Sequence, residues 1–398
     1  MNRKPILISG GGLGGLTAAL ALGQRGHAVC VLEQAPLFGA IGYGIQLGPN
    51  VLSIFDGLGL SQAVTAAAHH PPAILMLDAR DGSEIVRIST GAEFRSRFGH
   101  PYLVIHRIDL HDILLGACRA TPSIELISDA RVSAVEEGND GVVALTADGR
   151  SIRGIGLVAA DGLNSDIRAM LHPGDRPRSN GYVAHRTIVP ADDVPREIFR
   201  REVILWAGPG FHIVCYPLRQ ERFYNIVAVF RSATHAERRD HAGYKVELQE
   251  TYKAAHPVMR VLLSLMDVER RWPISDRDPI RHWGRGRVTL LGDAAHATLQ
   301  SLAQGAGMAI EDGVCLARTL DERPSDIQTA FRRYEAQRRT RTARVQLESR
   351  SLWNIYHCDG IEAEVRFDTF SGRSQAAYLD CLTWLYGGQD RIGRVVQA

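Results

Sequence analysis

A run of glycines directly after a short apolar segment constrains this chain most. Ile6-Leu7-Ile8 reads as a buried strand, and glycines at 10, 12 and 15 then form G-x-G-x-x-G before an alanine- and leucine-rich segment. Such glycines let the backbone turn tightly and approach a pyrophosphate, which the N-terminus of the following helix attracts. The pattern predicts that Gly10, Gly12 and Gly15 belong to a dinucleotide-binding strand–loop–helix unit.

An acidic residue completes this unit. A second apolar strand, residues 29–32, ends at Glu33, about 20 residues beyond the glycines, where an acid binds the ribose hydroxyls of a nucleotide. A lone glycine motif is also compatible with a turn that binds nothing. The strand, loop, helix, strand and acid in register favour a nucleotide site, but they do not distinguish FAD from NAD.

Two later segments repeat the pattern of a strand that ends in an acid. Asp161 follows the apolar residues 158–160, and Asp293 follows residues 288–292. Open α/β sheets place their ligands at the carboxyl ends of strands, so both aspartates are candidate ligand contacts. Taken singly, Asp161-Gly162 and Gly292-Asp293 are ordinary turn-forming pairs. Gly305 and Ala306 then begin a predicted helix whose N-terminus would stabilise an anionic ligand.

The three motifs in this order resemble the class A flavoprotein aromatic hydroxylases, over a span from residue 10 to residue 312. The resemblance implies FAD as cofactor, with Asp293 at its ribityl chain and Arg107, in an R-x-x-L segment, beside it. It assigns Asp161 and Arg168 to a segment used for both FAD and the reduced nicotinamide. A second G-x-G-x-x-G unit is absent, which fits a nicotinamide that docks transiently. The resemblance favours NADH and leaves NADPH open.

The middle of the chain changes to β-branched and aromatic runs at residues 182–189, 203–206, 211–218 and 223–230, which predict an antiparallel sheet. The fold class expected is α/β, of the para-hydroxybenzoate hydroxylase type. A Rossmann-like FAD-binding domain is interrupted by an antiparallel-sheet substrate domain and followed by a helical C-terminal region. The predicted FAD-binding domain comprises residues 1–70, 100–178 and 270–340, the substrate domain 71–99 and 179–269, and the helical region 341–398.

His212 and Tyr216 lie on the same face of one predicted strand, because side chains alternate with a period of two. They are separated by roughly 13 Å at about 3.3 Å per residue, so both side chains could reach one small aromatic ring. Isolated histidine and tyrosine residues also pack as satisfied core residues, and the spacing alone leaves both interpretations open.

The third candidate substrate contact is Gln300. Many class A hydroxylases carry proline at the positions of Ala297 and Gln300, and this chain departs at both. The set of His212, Tyr216 and Gln300, with the residues around it, resembles the 3-hydroxybenzoate 6-hydroxylase branch of the family. Salicylate and 6-hydroxynicotinate hydroxylases, which match less well at Gln300, remain the alternatives.

This resemblance implies a reaction as well as a fold. A flavin C4a-hydroperoxide formed from O2 would deliver oxygen para to the ring hydroxyl and give 2,5-dihydroxybenzoate (gentisate). A phenol has a pKa near 10, so the ring hydroxyl needs a base, and His212 suits that role. Tyr216 and Gln300 would orient the ring. His185 and Arg186 are the candidates for the substrate carboxylate, although a solvated surface strand explains them equally well.

Composition excludes several other classes. With 46 Lys and Arg against 44 Asp and Glu, the net charge is +2, which argues against a nucleic-acid partner. The cysteines are scattered, so they suggest neither a zinc site nor a redox pair, and they are typical of a protein in the reducing cytoplasm. No apolar run reaches membrane-spanning length. We expect no metal and a homodimer. A non-catalytic FAD-fold protein and an NAD-dependent dehydrogenase are the remaining alternatives, and the intact motifs argue against the first.

Overall fold

The computed structural model describes residues 4–39, 42–233, 241–323 and 326–387. Within them the strands are, in chain order, β1 (Ile6–Ser9), β2 (Val29–Leu32), β3 (Gly44–Leu47), β4 (Ala73–Asp78), β5 (Glu84–Ser89), β6 (Leu103–His106), β7 (Ile124–Ile127), β8 (Val132–Gly138), β9 (Gly141–Thr146), β10 (Ser151–Gly154), β11 (Gly156–Ala159), β12 (Arg178–Pro190), β13 (Val203–Gly208), β14 (Phe211–Leu218), β15 (Phe223–Arg231), β16 (Trp272–Asp276) and β17 (Val288–Leu290).

The helices of the described residues are α1 (Leu13–Gly23), α2 (Pro49–Gly57), α3 (Ser61–Ala67), α4 (Ala92–Phe98), α5 (Arg107–Arg119), α6 (Asp166–Leu171), α7 (His241–Tyr252), α8 (Pro257–Ser264), α9 (Asp293–His296), α10 (Gly305–Glu322), α11 (Ile327–His357), α12 (Gly360–Ser371) and α13 (Gln375–Tyr386). Short 3-10 turns occupy Ala191–Asp193 and Gln300–Leu302.

A parallel sheet of five strands organises the nucleotide-binding motifs. Its order is β17-β11-β1-β2-β7, and all its pairs are parallel. Strands β1, β11 and β17 are adjacent, so the residues that follow them, Gly10, Asp161 and Asp293, meet at one edge. Helix α1 is buried along its whole length and packs on α5 and α10. The order of strands therefore places the three sequence motifs around one cleft.

A second sheet follows the predicted β-rich region and has the order β16-β12-β15-β14-β13-β4-β5. The four predicted strands correspond to β12 to β15, and β4 and β5, from the segment 71–99, join the same sheet. Its pairs are antiparallel except that between β13 and β4, which is parallel. The four predicted strands pair with one another only in antiparallel fashion, as expected, and the single parallel pair joins them to the segment 71–99.

Helices close the molecule at its C-terminal end. Helix α11 already begins at Ile327, and it continues across the predicted limit of the helical region at residue 341. Residues 234–240 of the predicted substrate domain and residues 388–398 of the predicted helical region lie outside the described residues. The domain limits given above remain a prediction. In the described ranges, no helix combines the length and apolar character that crossing a bilayer requires.

Candidate active site

One cavity of about 1030 Å³ connects the edge of the parallel sheet with the face of the seven-stranded sheet. It is lined by eleven of the twelve residues nominated above as direct cofactor contacts or as contacts of the substrate ring: Gly10, Gly12, Glu33, Arg107, Asp161, His212, Tyr216, Asp293, Gln300, Gly305 and Ala306. The structure thus brings the candidate cofactor residues and the candidate substrate residues to a single site.

Gly15 is the exception, since it does not line the cavity. A Cβ atom at Gly15 would lie 2.0 Å from the carbonyl oxygen of Gly10, so this glycine allows α1 to pack against the turn after β1. Gly10 itself has φ +109°, and a Cβ there would lie 2.3 Å from the carbonyl oxygen of Ala160. Both glycines are therefore required by the backbone, and of the three only Gly10 and Gly12 face the cavity.

Glu33 is fixed at the end of β2 by backbone donors. Its Oε2 accepts a hydrogen bond from the amide of Gly11 at 2.7 Å, and its Oε1 accepts one from the amide of Ala35 at 2.8 Å. Each carboxylate oxygen keeps a lone pair that can accept a hydrogen bond from a ribose hydroxyl. The position agrees with the expected role of this acid.

Asp161 carries the clearest sign that this end of the cavity is made for a ligand. Its Oδ1 is buried and has no hydrogen-bond partner within the described part of the chain. Burial raises the pKa of the Asp161 carboxyl, because the charged form loses its hydration. A buried polar oxygen requires a partner, and the hydroxyl and amide groups of a dinucleotide supply one.

A buried ionic network holds the loops at the carboxyl edge of β17. Oδ2 of Asp312 accepts hydrogen bonds from the amide of Gly292, at 3.0 Å, and from His296, at 2.6 Å. Arg338 of α11 reaches Oδ1 of Asp312 and Oε2 of Glu311, each at 2.6 Å. The cationic partners hold the pKa of Glu311 and of Asp312 at about 2, despite the opposing effect of burial. Both carboxylates are therefore ionised at neutral pH.

The face of β14 that meets the cavity is the one that the period of two predicts. His212, Val214 and Tyr216 line the cavity. The alternate side chains belong to a separate apolar core behind the sheet: Phe211, Ile213 and Cys215. Because this face of the sheet lines the cavity, His212 and Tyr216 are placed to meet a ligand.

His212 is buried and its imidazole is held by a second histidine. Its Nδ1 lies 2.8 Å from Nε2 of His357, and the rings of Trp353 and Tyr356 contact it edge-on. Burial first, and then the neighbouring His357, lower the pKa of His212 well below 6.5. His212 is therefore neutral at pH 7 and has one ring nitrogen available as an acceptor.

Arg186 and Gln300 meet on the same side of the cavity. Nη2 of Arg186 donates to Oε1 of Gln300 at 2.8 Å, while Nε of Arg186 is buried and, among the described residues, has no hydrogen-bond partner. Burial lowers the pKa of the Arg186 guanidinium, and Tyr216 partly offsets this effect. His185, the other candidate for the carboxylate, faces away and bonds to Tyr244 and to the carbonyl of Arg270.

Comparisons with known proteins agree with this geometry. A family model described as FAD binding domain matches residues 3–349. The chain is 43% identical to 3-hydroxybenzoate 6-hydroxylase from Polaromonas naphthalenivorans, and the match covers 96% of each chain. It is 40% identical to 3-hydroxybenzoate 6-hydroxylase from Klebsiella oxytoca, again over 96% of each. The chain belongs to the FAD-binding family of aromatic hydroxylases.

A solved structure supports the same assignment. Klebsiella pneumoniae HpxO, complexed with FAD and uric acid, superposes with a TM-score of 0.84 at 28% identity, covering 96% of this chain and 97% of that one. In this family's fold the glycine turn, the acid after β2 and the unpartnered oxygen of Asp161 fit FAD. Within the described ranges, no cluster of three or more histidine, cysteine or acidic side chains is arranged to hold a metal ion.

Arg168, which the resemblance assigns to a segment used for both FAD and the nicotinamide, is a buried residue that links two loops. It is 0% exposed, and its Nη1 donates to the carbonyl oxygens of Ala294 and Ala295 at 2.9 and 2.6 Å. Its Nε donates to Asp175 at 2.5 Å. Arg168 therefore ties the Asp161 segment to the Asp293 segment.

Several cavity residues have no local signal in the sequence. Tyr102 donates to Oε1 of Gln46 at 2.6 Å, and Tyr356 donates to the carbonyl of Ser301 at 2.8 Å. Tyr356, and the residue His357 that contacts His212, come from α11, far along the chain from β14. An aromatic C-terminal segment is visible in the sequence, but only the tertiary structure shows that it covers the hydroxylase cavity.

Proposed function

We propose that this protein hydroxylates 3-hydroxybenzoate at the carbon para to its hydroxyl group and forms 2,5-dihydroxybenzoate (gentisate). NADH, a proton and O2 are consumed with the aromatic acid, and NAD⁺ and water are the other products. Bound FAD would supply the activation of O2 and the transfer of one oxygen atom to the ring. The residues around Gly10, Glu33, Asp161, Asp293 and the N-terminus of α10 would hold it.

Arg186 is the residue that supports an aromatic acid as the substrate. A guanidinium that lines the cavity, with a neutral amide as its hydrogen-bond partner and a buried Nε that has no partner among the described residues, favours an anionic ligand. A carboxylate can accept hydrogen bonds from Arg186 while Gln300 keeps the guanidinium oriented. The aromatic ring would then lie against the apolar walls at Leu205, Val214 and Val227, which exclude water.

His212 supplies the acceptor for the ring hydroxyl. With its Nδ1 facing His357, Nε2 is the nitrogen that remains for a ligand in the cavity. A neutral imidazole can take the phenolic proton, and the resulting phenolate donates more electron density to the carbon that is oxidised. Burial raises the pKa of the Tyr216 hydroxyl, so Tyr216 acts as a neutral hydrogen-bonding group that orients the ring.

The test compares substrates on the purified, FAD-loaded protein. We expect 3-hydroxybenzoate to stimulate NADH oxidation and O2 uptake and to yield gentisate in equal amount, as identified by chromatography. NADPH should support slower turnover. Stimulation by salicylate or 6-hydroxynicotinate with no gentisate from 3-hydroxybenzoate would overturn the substrate. A protein that takes up no FAD would overturn the reaction.

Two further proposals concern the protein as a whole. All six cysteines are free thiols in the structure, which supports action in the reducing cytoplasm. The resemblance to the family supports a homodimer. Sedimentation at micromolar concentration tests the second proposal, since a single species of monomer mass would contradict it.

A further inference from the structure

The ring of His357 is the direct partner of His212. His357 is the last residue of α11 and His212 lies on β14, and their Nε2 and Nδ1 atoms are 2.8 Å apart. The two residues are 145 positions apart in sequence. His212 is 1% exposed. The contact therefore joins the C-terminal helix to the ring nitrogen that lies opposite the candidate reacting atom of His212.

The surroundings keep both imidazoles neutral. Tyr182, Trp353 and Tyr356 pack around His357, and Arg366 is the charged group that acts on it. Burial is the largest cause that lowers the pKa of His357, to about 4, and Arg366 lowers it further. After burial, the neighbouring His357 is the group that lowers the pKa of His212, because two adjacent imidazoles disfavour a proton on both. Between two neutral imidazoles, one must donate and the other must accept.

The direction of this hydrogen bond follows from the proposed role of His212. Nε2 of His212 must be unprotonated to accept the phenolic proton, so the hydrogen of this neutral imidazole lies on Nδ1. Nδ1 of His212 faces Nε2 of His357 at 2.8 Å, so His212 is the donor and His357 is the acceptor. Nδ1 of His357 then carries the other hydrogen, and it is buried without a hydrogen-bond partner among the described residues.

We propose that His357 is a positioning residue, which accepts the Nδ1–H of His212 and so keeps Nε2 of His212 unprotonated towards the cavity. The inference rests on the proposed function, because an unprotonated Nε2 is what the hydroxyl of a phenol requires. A partner that fixes the tautomer of a working imidazole is a general device, and its loss leaves the ring free to adopt the other tautomer.

The tautomer can be measured without substrate by NMR on the FAD-loaded full chain labelled with ¹⁵N-histidine. The His212 signals are assigned by their loss in His212→Gln. We expect Nδ1 protonated and Nε2 unprotonated in the wild type, and a mixture of tautomers in His357→Phe, which fills the same space without an acceptor. His357→Gln offers an amide oxygen and should restore the wild-type state. His185→Gln, a buried histidine behind the sheet, is the matched control and should leave His212 unchanged.

Turnover gives the second measurement. We expect kcat with 3-hydroxybenzoate to fall by about 10- to 100-fold in His357→Phe, with KM nearly unchanged, and to recover in His357→Gln. A His212 signal with the proton on Nε2 in the wild type, or an unchanged tautomer in His357→Phe, overturns the proposal. Because the NMR measurement needs no substrate, a wrong substrate would leave the tautomer result standing and would show only as absent turnover.

Discussion

Arg186 of β12 donates from Nη2 to Oε1 of Gln300 at 2.8 Å, and this bond joins the seven-stranded sheet to the loop that leads into α10. The same loop carries Ala303, in a left-handed conformation at φ +53°, directly before the N-terminus of α10. The residue that would bind the substrate carboxylate is thus connected to the loop that would face the flavin. Proline at position 300, as in much of the family, cannot make this bond.

Replacing Arg186 by Met should weaken substrate binding far more than it slows the chemical step. A charged hydrogen bond contributes about 1.5–3 kcal/mol, so we expect KM for 3-hydroxybenzoate to rise by about 10- to 100-fold. Steady-state NADH oxidation measures it. Arg178→Met, on the same strand but exposed, is the control and should keep the wild-type KM. Equal effects of the two substitutions would show that the Arg186 charge does not meet the carboxylate.

The pH dependence of turnover should reflect the buried state of His212. Because the pKa of His212 lies well below 6.5, its neutral form persists as the pH falls through the range where an exposed histidine becomes charged. We expect kcat to be maintained as the pH falls to 6.5 and to decline only at lower pH, and His212→Gln to lower kcat by about 10²- to 10⁴-fold and to remove that acid limb. A rate profile in His212→Gln with the same acid limb would assign the limb to another group.

The parallel sheet and its motifs could be predicted because each depends on a short stretch of sequence. Gly10, Asp161 and Asp293 each follow an apolar strand, and parallel strands carry such residues to one edge. The alternation in β14 likewise assigns His212 and Tyr216 to one face. These are local signals, and the structure places the residues accordingly.

The contacts that complete the site could not be predicted from the same patterns. The partner of His212 comes from α11, the partner of Gln300 comes from β12, and Arg338 reaches Asp312 from another helix. Each pairing depends on how separate elements pack, for which the sequence carries no period or motif. Arg168 lies in a recognisable motif, but the motif does not show that its side chain is buried.

Acid should destabilise the protein through His185, which is fully buried and has its pKa lowered from 6.5 to about 4 by burial. Above pH 6.5 the residue is neutral in both states. Between pH 6.5 and 4 the unfolded chain binds a proton that the folded chain does not, so the free energy of unfolding falls with falling pH. This contribution reaches about 2 kcal/mol at pH 5. Urea unfolding at neutral pH and near pH 5 should show a smaller loss in His185→Gln than in the wild type.

Arg338→Met should destabilise the protein and release FAD. The substitution removes a cationic partner of the buried carboxylates Asp312 and Glu311. Breaking a buried ion pair lowers the free energy of unfolding by about 3–5 kcal/mol. Since Asp312 holds the amide of Gly292 beside Asp293, flavin retention should fall as well. Thermal unfolding and flavin fluorescence after gel filtration measure the two effects. Arg332→Met, exposed on the same helix, should change neither.

Alanine substitutions at Gly12 and Gly15 should separate cofactor contact from backbone packing. A Cβ at Gly12 would meet no atom of the described chain within 4 Å, whereas one at Gly15 would lie 2.0 Å from the Gly10 carbonyl oxygen. Gly12→Ala should therefore leave the apoprotein as stable as the wild type while raising the Kd for FAD, because the new methyl group occupies space in the cavity that a pyrophosphate needs. Gly15→Ala should lower the stability of the apoprotein itself. Thermal unfolding of the apoproteins and titration with FAD distinguish the two effects. Unchanged FAD affinity in Gly12→Ala would show that the pyrophosphate does not approach this turn.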